Sequence, residues 1–162
     1  MKQITHHLIN METGDRTLGV QCLEKFLGDT YVLYVKTQNF HWNVVDPRFY
    51  SLHKMFEKQY EDLAEAADLI AERIRALGNK APGTMKEFLE LSTLSEAKPN
   101  GYSADAMIKQ LINDHKTISQ NLQNSINEGK DWDDDGTIDL LIQRMRVHDK
   151  TAWMLESHLH KS

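Results

Sequence analysis

The chain is expected to fold as an all-α helix bundle. Four long stretches repeat apolar residues at helical spacing, the second of them contains neither Pro nor an internal Gly, and a link of some 24 residues between the second and third is too long for a simple turn. Such a link must run the length of the bundle, as crossover connections do in four-helix proteins.

The first helix is expected over Thr17 to Val44, with Gly28 inside it at a modest propensity cost. After a turn at Val44, Val45, Asp46 and Pro47, the second runs back antiparallel from Arg48 to Gly78. It carries Phe49, Leu52, Phe56, Tyr60, Leu63, Ala67, Ile70, Ile74 and Leu77, about eight turns of one amphipathic helix. Within the crossover, Thr84 to Leu94 places Met85, Phe88, Leu89 and Leu91 after Pro82 and Gly83, a short amphipathic helix. The third long helix spans Ser103 to Asn127, with Ser103 as N-cap and Met107, Leu111, Ile118, Leu122 and Ile126 on one stripe. The fourth spans Gly136 to His160, with Ile138, Leu141, Ile142, Met145, Leu155 and Leu159.

At 162 residues the chain is one domain, 1–162, with a polar tail over residues 1–16. A chain of this size buries about 70% of its unfolded surface. The formal charge of −5 favours cations over phosphate polymers as partners. Cys22 is the single cysteine, so no internal disulfide forms, and a reducing compartment is the simplest expectation. With no secretory core in the first 30 residues and no apolar run of membrane-spanning length, a cytoplasmic protein without a membrane partner is expected.

Five side chains of metal-ligand type stand out: His41, His53, Glu57, Asp68 and Glu72. At about 100° per residue, taking His53 as zero, Glu57 falls near 40°, Asp68 near 60° and Glu72 near 100°, on one stripe. Counting outward from the turn brings His41 level with His53. The axial separation of His53 and Asp68, however, is about 22 Å, against bonds of about 2.0–2.2 Å from metals to such ligands. One chain therefore holds two half-sites, His41 with His53 and Glu57, and Asp68 with Glu72. A two-fold axis that runs two copies of the helix antiparallel joins the histidine end of one to the carboxylate end of the other. The plainer alternative, a solvated helix face, accounts for any one of these residues. It fits the set less well, because His41 and His53 lie among Phe40, Trp42, Leu52 and Phe56, where polar groups need a compensating partner.

The run Lys36-Thr37-Gln38-Asn39-Phe40-His41-Trp42-Asn43-Val44, the run Phe49-Tyr50-Ser51-Leu52-His53 with Phe56, and Asp68-Leu69-Ile70-Ala71-Glu72-Arg73 closely resemble the Dps proteins, or miniferritins. The likeness continues through Ala81-Pro82-Gly83, Glu87-Phe88-Leu89, Leu141 to Met145, His148, and Thr151-Ala152-Trp153-Met154, and so covers nearly the whole chain. It implies a ferritin-like four-helix bundle with the short extra helix at a two-fold interface. It also implies a dodecameric shell and an inter-subunit centre that oxidises ferrous iron with hydrogen peroxide, or more slowly with dioxygen, and stores the ferric mineral. The family's metal positions fall on His41, His53, Glu57, Asp68 and Glu72, with Glu57 where the family usually has Asp. An intra-bundle di-iron site would instead need Glu three residues before a histidine on two helices, and Ile112 precedes His115 and Met145 precedes His148 at that spacing. Trp42 is expected in the core, and the resemblance adds an oxidisable ring close to the iron.

The acidic run Asp131-Trp132-Asp133-Asp134-Asp135-Gly136-Thr137-Ile138-Asp139 imitates a calcium loop, but Ile142 stands where the bidentate Glu is required. Helix capping by Asp135 explains it. The family's acid-lined three-fold channels offer a compatible role, in which Asp131, Asp135 and Asp139 admit ferrous iron. His6 and His7 read as a surface pair, and His115, His148, His158 and His160 as helix-surface or interface residues. Residues 1–16 balance Lys2 and Arg16 against Glu12 and Asp15, and only Lys161 and Ser162 follow His160, so neither end is a basic arm. DNA binding is expected to be weak or absent. A DNA-binding nucleoid-protection protein with little iron chemistry is the alternative.

Overall fold

The computed structural model describes residues 13–99 and 101–159, the side chains of residues 13–17 and of Asp131 excepted. The expectations for His6, His7 and His160 lie outside these residues. Helix α1 spans Thr13–Asn43, α2 Phe49–Ala76, α3 Met85–Leu91, α4 Ala104–Glu128 and α5 Asp135–Glu156, with one 3-10 turn at Gly129–Asp131. No strand occurs among the described residues. Four long helices and a short fifth in the crossover are the expected architecture; α1 begins at least four residues earlier than its apolar periodicity suggested.

One core runs through the bundle, filled by Leu23, Leu27, Leu33 and Phe40 of α1, Leu52, Phe56, Leu63, Ile70 and Ile74 of α2, Ile108, Leu111 and Leu122 of α4, and Leu141 and Leu155 of α5. Each large side chain buried in this way contributes about 1.5–3 kcal/mol relative to its exposed state. Within α1, Gly28 is required by packing: a Cβ there would lie 2.9 Å from the Phe88 carbonyl oxygen and 3.0 Å from the Leu91 Cβ. Absence of that Cβ lets α3 lie directly against α1, where Tyr31 and Phe88 stack with ring centroids 4.0 Å apart. The α3 helix is started by a capping box, Thr84 accepting from the Glu87 amide while the Glu87 carboxylate accepts from Thr84. The crossover is then pinned by buried Asp29, which accepts from the Thr93 amide at 2.6 Å and the Ser92 hydroxyl at 2.8 Å. Gly78, at φ +90°, supplies the left-handed residue that ends α2.

Two arginines fix the bundle's ends. At one end Arg48 donates to Asp46, to Asp105 at 2.7 Å and to the His158 carbonyl at 2.9 Å, joining the α1–α2 turn to the start of α4 and the end of α5. At the other, Arg73 donates to the Thr137 hydroxyl at 3.0 Å and pairs with the buried carboxylate of Asp134. Asp134, rather than Asp135, is the N-cap of α5, accepting from the Thr137 amide at 3.0 Å. With Asp134 held by Arg73, α5 begins at Asp135, one residue before its expected start, which moves the cap position back by one and leaves Asp135 exposed.

Removal of the Arg73 guanidinium strands a buried carboxylate. Arg73→Met is therefore expected to cost about 3–5 kcal/mol, the range for breaking a buried pair, while Arg73→Met with Asp134→Asn costs less than the two single changes together. Urea unfolding of the four members of that cycle checks it, and additive losses would show that the pair carries no coupling.

Candidate metal centre

The turn after α1 brings His41 and His53 into a reciprocal pair. Nδ1 of His41 lies 2.9 Å from the His53 carbonyl oxygen, and Nδ1 of His53 lies 2.9 Å from the His41 carbonyl oxygen. Since a carbonyl only accepts, each Nδ1 carries the proton and donates, and each Nε2 keeps its lone pair. The rings stack at a centroid distance of 3.8 Å and 20° between planes. Phe49 stacks on His53 at 4.9 Å and Tyr60 sets its ring edgewise to His41 at 5.2 Å. His41 is buried and His53 half-buried, so both imidazoles are locked by backbone and aromatic neighbours in the tautomer a metal needs.

Glu57, one turn beyond His53, accepts from the Lys54 ammonium at 2.6 Å. That hydrogen bond, with smaller contributions from the two histidines, holds the Glu57 carboxyl below its ordinary pKa despite some desolvation. It is an ionised oxygen donor with a displaceable partner. Asp68 and Glu72 project from α2 into solvent, and no ion pair among the described residues engages them. The histidine half-site is thus assembled within the chain, and the carboxylate half-site stands apart from it. No three His, Cys, Asp or Glu side chains among the described residues converge closely enough to hold an ion. Apolar surface flanks both halves: Trp42 is 65% exposed, Phe49 45%, Tyr50 76% and Leu69 53%. Trp42 therefore does not lie in the core of the chain, because helical phase points it away from the stripe of Leu33, Thr37 and Phe40.

At the start of α5, Asp135 and Asp139 are exposed, and Asp139 accepts from Gln143 at 2.6 Å. They share a face one turn apart. The side chain of Asp131 lies outside the described residues.

His115 and His148 are not surface residues. Both are buried, at 3% and 1% exposure, with Nδ1 atoms 2.8 Å apart, and neither Nε2 has a partner among the described residues. Helical phase held the signal: His115 fills the gap between Leu111 and Ile118 in the α4 stripe, and His148 the gap between Leu141 and Leu155 in α5. Burial, reinforced by the positive charge of Arg144, pushes the His115 pKa down to about 3, and burial lowers that of His148 as well.

A family model for the ferritin-like domain matches residues 20–162. A Nostoc protein called an uncharacterized low temperature-induced protein is 42% identical over 149 residues, 91% of this chain and 83% of that protein. DNA protection during starvation protein 2 of Bacillus anthracis is 38% identical, over 88% of this chain and 97% of its own length. The crystal structure of Dps from Staphylococcus aureus superposes with a TM-score of 0.87 at 37% identity, covering 94% of this chain and 99% of that one. The chain belongs to the Dps family of ferritin-like proteins.

The neutral histidine pair makes stability depend on pH with a definite sign. His115 and His148 are uncharged when folded and titrate near 6.5 when unfolded. Between about pH 6.5 and 3 the unfolded state binds more protons, so stability falls as pH falls through that window and is fully present above it. His115→Leu with His148→Leu is expected to show a shallower loss of melting temperature between pH 7 and 4 than the parent. Equal slopes would mean that the acid loss comes from carboxylates such as Asp46, whose pKa Arg48 lowers to about 2.

Proposed function

We propose that the protein takes up ferrous iron, oxidises it at sites shared between two subunits, and stores the ferric mineral inside a hollow homo-oligomeric shell, a dodecamer by family likeness. The observation that carries this reading is the reciprocal His41–His53 pair. It commits both Nδ1 atoms to backbone carbonyls and keeps two imidazole lone pairs for a substrate ion, on a helix whose Asp68 and Glu72 have no such partner. A second copy placed antiparallel across a two-fold axis adds those carboxylates to the histidines, and Trp42, Phe49 and Leu69 become the apolar contact that holds the two copies together.

His41 and His53 offer neutral nitrogen, while Glu57, Asp68 and Glu72 offer hard oxygen that stabilises the ferric product over the ferrous substrate. Hydrogen peroxide is the preferred oxidant and dioxygen the slower one: each peroxide takes one electron from each of two ferrous ions, and hydrolysis of the ferric ions to the mineral releases protons. Trp42, adjacent to His41 and oxidisable, can surrender an electron to a stray oxidising equivalent. Asp135 and Asp139, with Asp131, form the negative entrance at which ferrous iron is concentrated. The second reading, nucleoid protection by direct DNA binding, draws on the name of the Bacillus anthracis relative. The formal charge of −5 opposes it, since nonspecific affinity comes from cations that neutralise phosphates. A gel shift at about 50 and 200 mM salt that shows retardation would favour it.

Complementation tests the shared site. Subunits carrying His41→Ala with His53→Ala, and subunits carrying Asp68→Ala with Glu72→Ala, should each oxidise ferrous iron at least about 10-fold more slowly than the parent. Co-assembled, they should recover activity, because each mixed dimer contains one site with all its ligands. Glu57→Asp should remain active. Mixed particles as inactive as either parent would overturn the inter-subunit arrangement.

The entrance is tested separately. Asp135→Asn with Asp139→Asn should slow iron uptake by about 10-fold at low salt, an effect that shrinks as ionic strength rises. Because Asp134 holds the cap, melting temperature should change little. Unchanged uptake at low salt would end the entrance assignment.

A further inference from the structure

We propose that the cavity between α2 and α5 is a binding site for monovalent copper, with the thioethers of Met55 and Met154 and Nε2 of His115 as its ligands. The cavity has a volume of about 350 Å³, and both methionines and His115 line it. It occupies the face of α2 turned away from the iron stripe: with His53 at zero, Met55 falls near 200° and Asp62 near 180°. A metal bound here is separate from iron at the two-fold centre.

Three observations converge. The first is the orphaned nitrogen: His115 is buried and lines the cavity, and its Nε2 has no hydrogen-bond partner among the described residues. The second is the tautomer. Two neutral imidazoles with Nδ1 atoms 2.8 Å apart share one proton, so when His115 donates to His148, Nε2 of His115 presents a lone pair. Ligating histidines are characteristically held in this way by a second group on the other ring nitrogen. Burial keeps His115 unprotonated at neutral pH, so no proton competes for that lone pair.

The third is the charge and softness of the surroundings. Asp62 is the one carboxylate in the lining, and Arg144 already engages it at 3.1 and 2.6 Å, while exposed Lys58 and Lys150 add positive charge at the mouth. A hard dication finds no free carboxylate and meets double the repulsion of a monovalent ion. The neutral oxygens of Gln59 and Thr151 add no charge, and the sulfur and imidazole donors suit a soft, singly charged ion, which Cu(I) is. Met55 is half-buried and Met154 is 43% exposed, and each has three rotatable bonds, so both thioethers are free to reorient within the cavity they share with His115.

The test is anaerobic titration of the iron-free oligomer with Cu(I) against bicinchoninate, in a Cys22→Ser background that removes the one thiol. The parent should hold one more tight Cu(I) per subunit than Met55→Leu with Met154→Leu, a near volume-conserving change whose particle mass and helicity should match the parent. His148→Asn should weaken that site by about 10–100-fold, as loss of a supporting partner does. Ferrous oxidation should be unchanged in the methionine variant. Selenomethionine-labelled parent gives a reading that needs no substitution: at one Cu(I) per subunit, X-ray absorption should show copper–selenium scattering. Equal Cu(I) stoichiometry and affinity in parent and double variant, or an absorption spectrum with no copper–selenium scattering, would overturn the site.

Discussion

Helical rise holds His53 and Asp68 about 22 Å apart on a single rod, and much of the molecule follows from that separation. The rod is stiff because Leu52, Phe56, Leu63, Ile70 and Ile74 are all fully buried or nearly so, and bending α2 would pull several of them from the core at once. The carboxylate end cannot therefore approach the histidine end of the same chain. Any ion that needs both must be held between two copies, and the exposed aromatic and aliphatic residues near the two ends, Trp42, Phe49, Tyr50 and Leu69, are surface that a monomer has no reason to keep.

Within each half-site the order of events is set by the turn. Val44 packs inside while Asp46 and Arg48 brace the reversal, and the resulting register puts residues 41 and 53 side by side with each imidazole facing the other's carbonyl. Two ordinary hydrogen bonds, of about 1 kcal/mol each in net stability, here do something more specific than stabilise. They choose which nitrogen is protonated, and so convert two flexible side chains into a fixed pair of donors before any ion arrives. Asp68 and Glu72 are exposed and not fixed in this way, which the proposed shared site allows, since a hard cation tolerates several oxygen geometries.

The bundle, its crossover helix and the alignment of four ligand-type residues on one stripe of α2, with His41 level with His53 across the turn, were all legible in the sequence, because each depends on spacing alone. What spacing could not supply was the identity of side chains at vacant stripe positions. His115 and His148 fill core positions on α4 and α5, yet a polar residue in an apolar phase reads as a surface residue unless its partner is known, and that partner is 33 residues away on another helix. Trp42 illustrates the converse: large and aromatic, it suggests core until the helical phase is fixed by Phe40 and His41. The cap of α5 moved by one residue because several consecutive acids are each competent to cap, and only the Arg73 contact selects Asp134.

Two uses of histidine in one bundle show how co-ligands decide chemistry. At the α1–α2 turn, imidazoles held by backbone carbonyls lie one helical turn from Glu57, so the proposed site combines their lone pairs with hard oxygen, a set that suits an ion that ends as Fe(III). In the interior, imidazoles hold each other, the carboxylate that lines the cavity is tied up by Arg144, and two thioethers line the same cavity beside Gln59 and Thr151. The ring is the same, and in both places Nδ1 has a hydrogen-bond partner. What differs is the neighbour: a free carboxylate raises the local negative charge and favours the higher oxidation state, whereas its neutralisation leaves neutral donors, the polarizable thioethers among them, to compensate a cation. The opposite faces of α2 thus offer a hard environment and a soft one, separated by the width of a single helix.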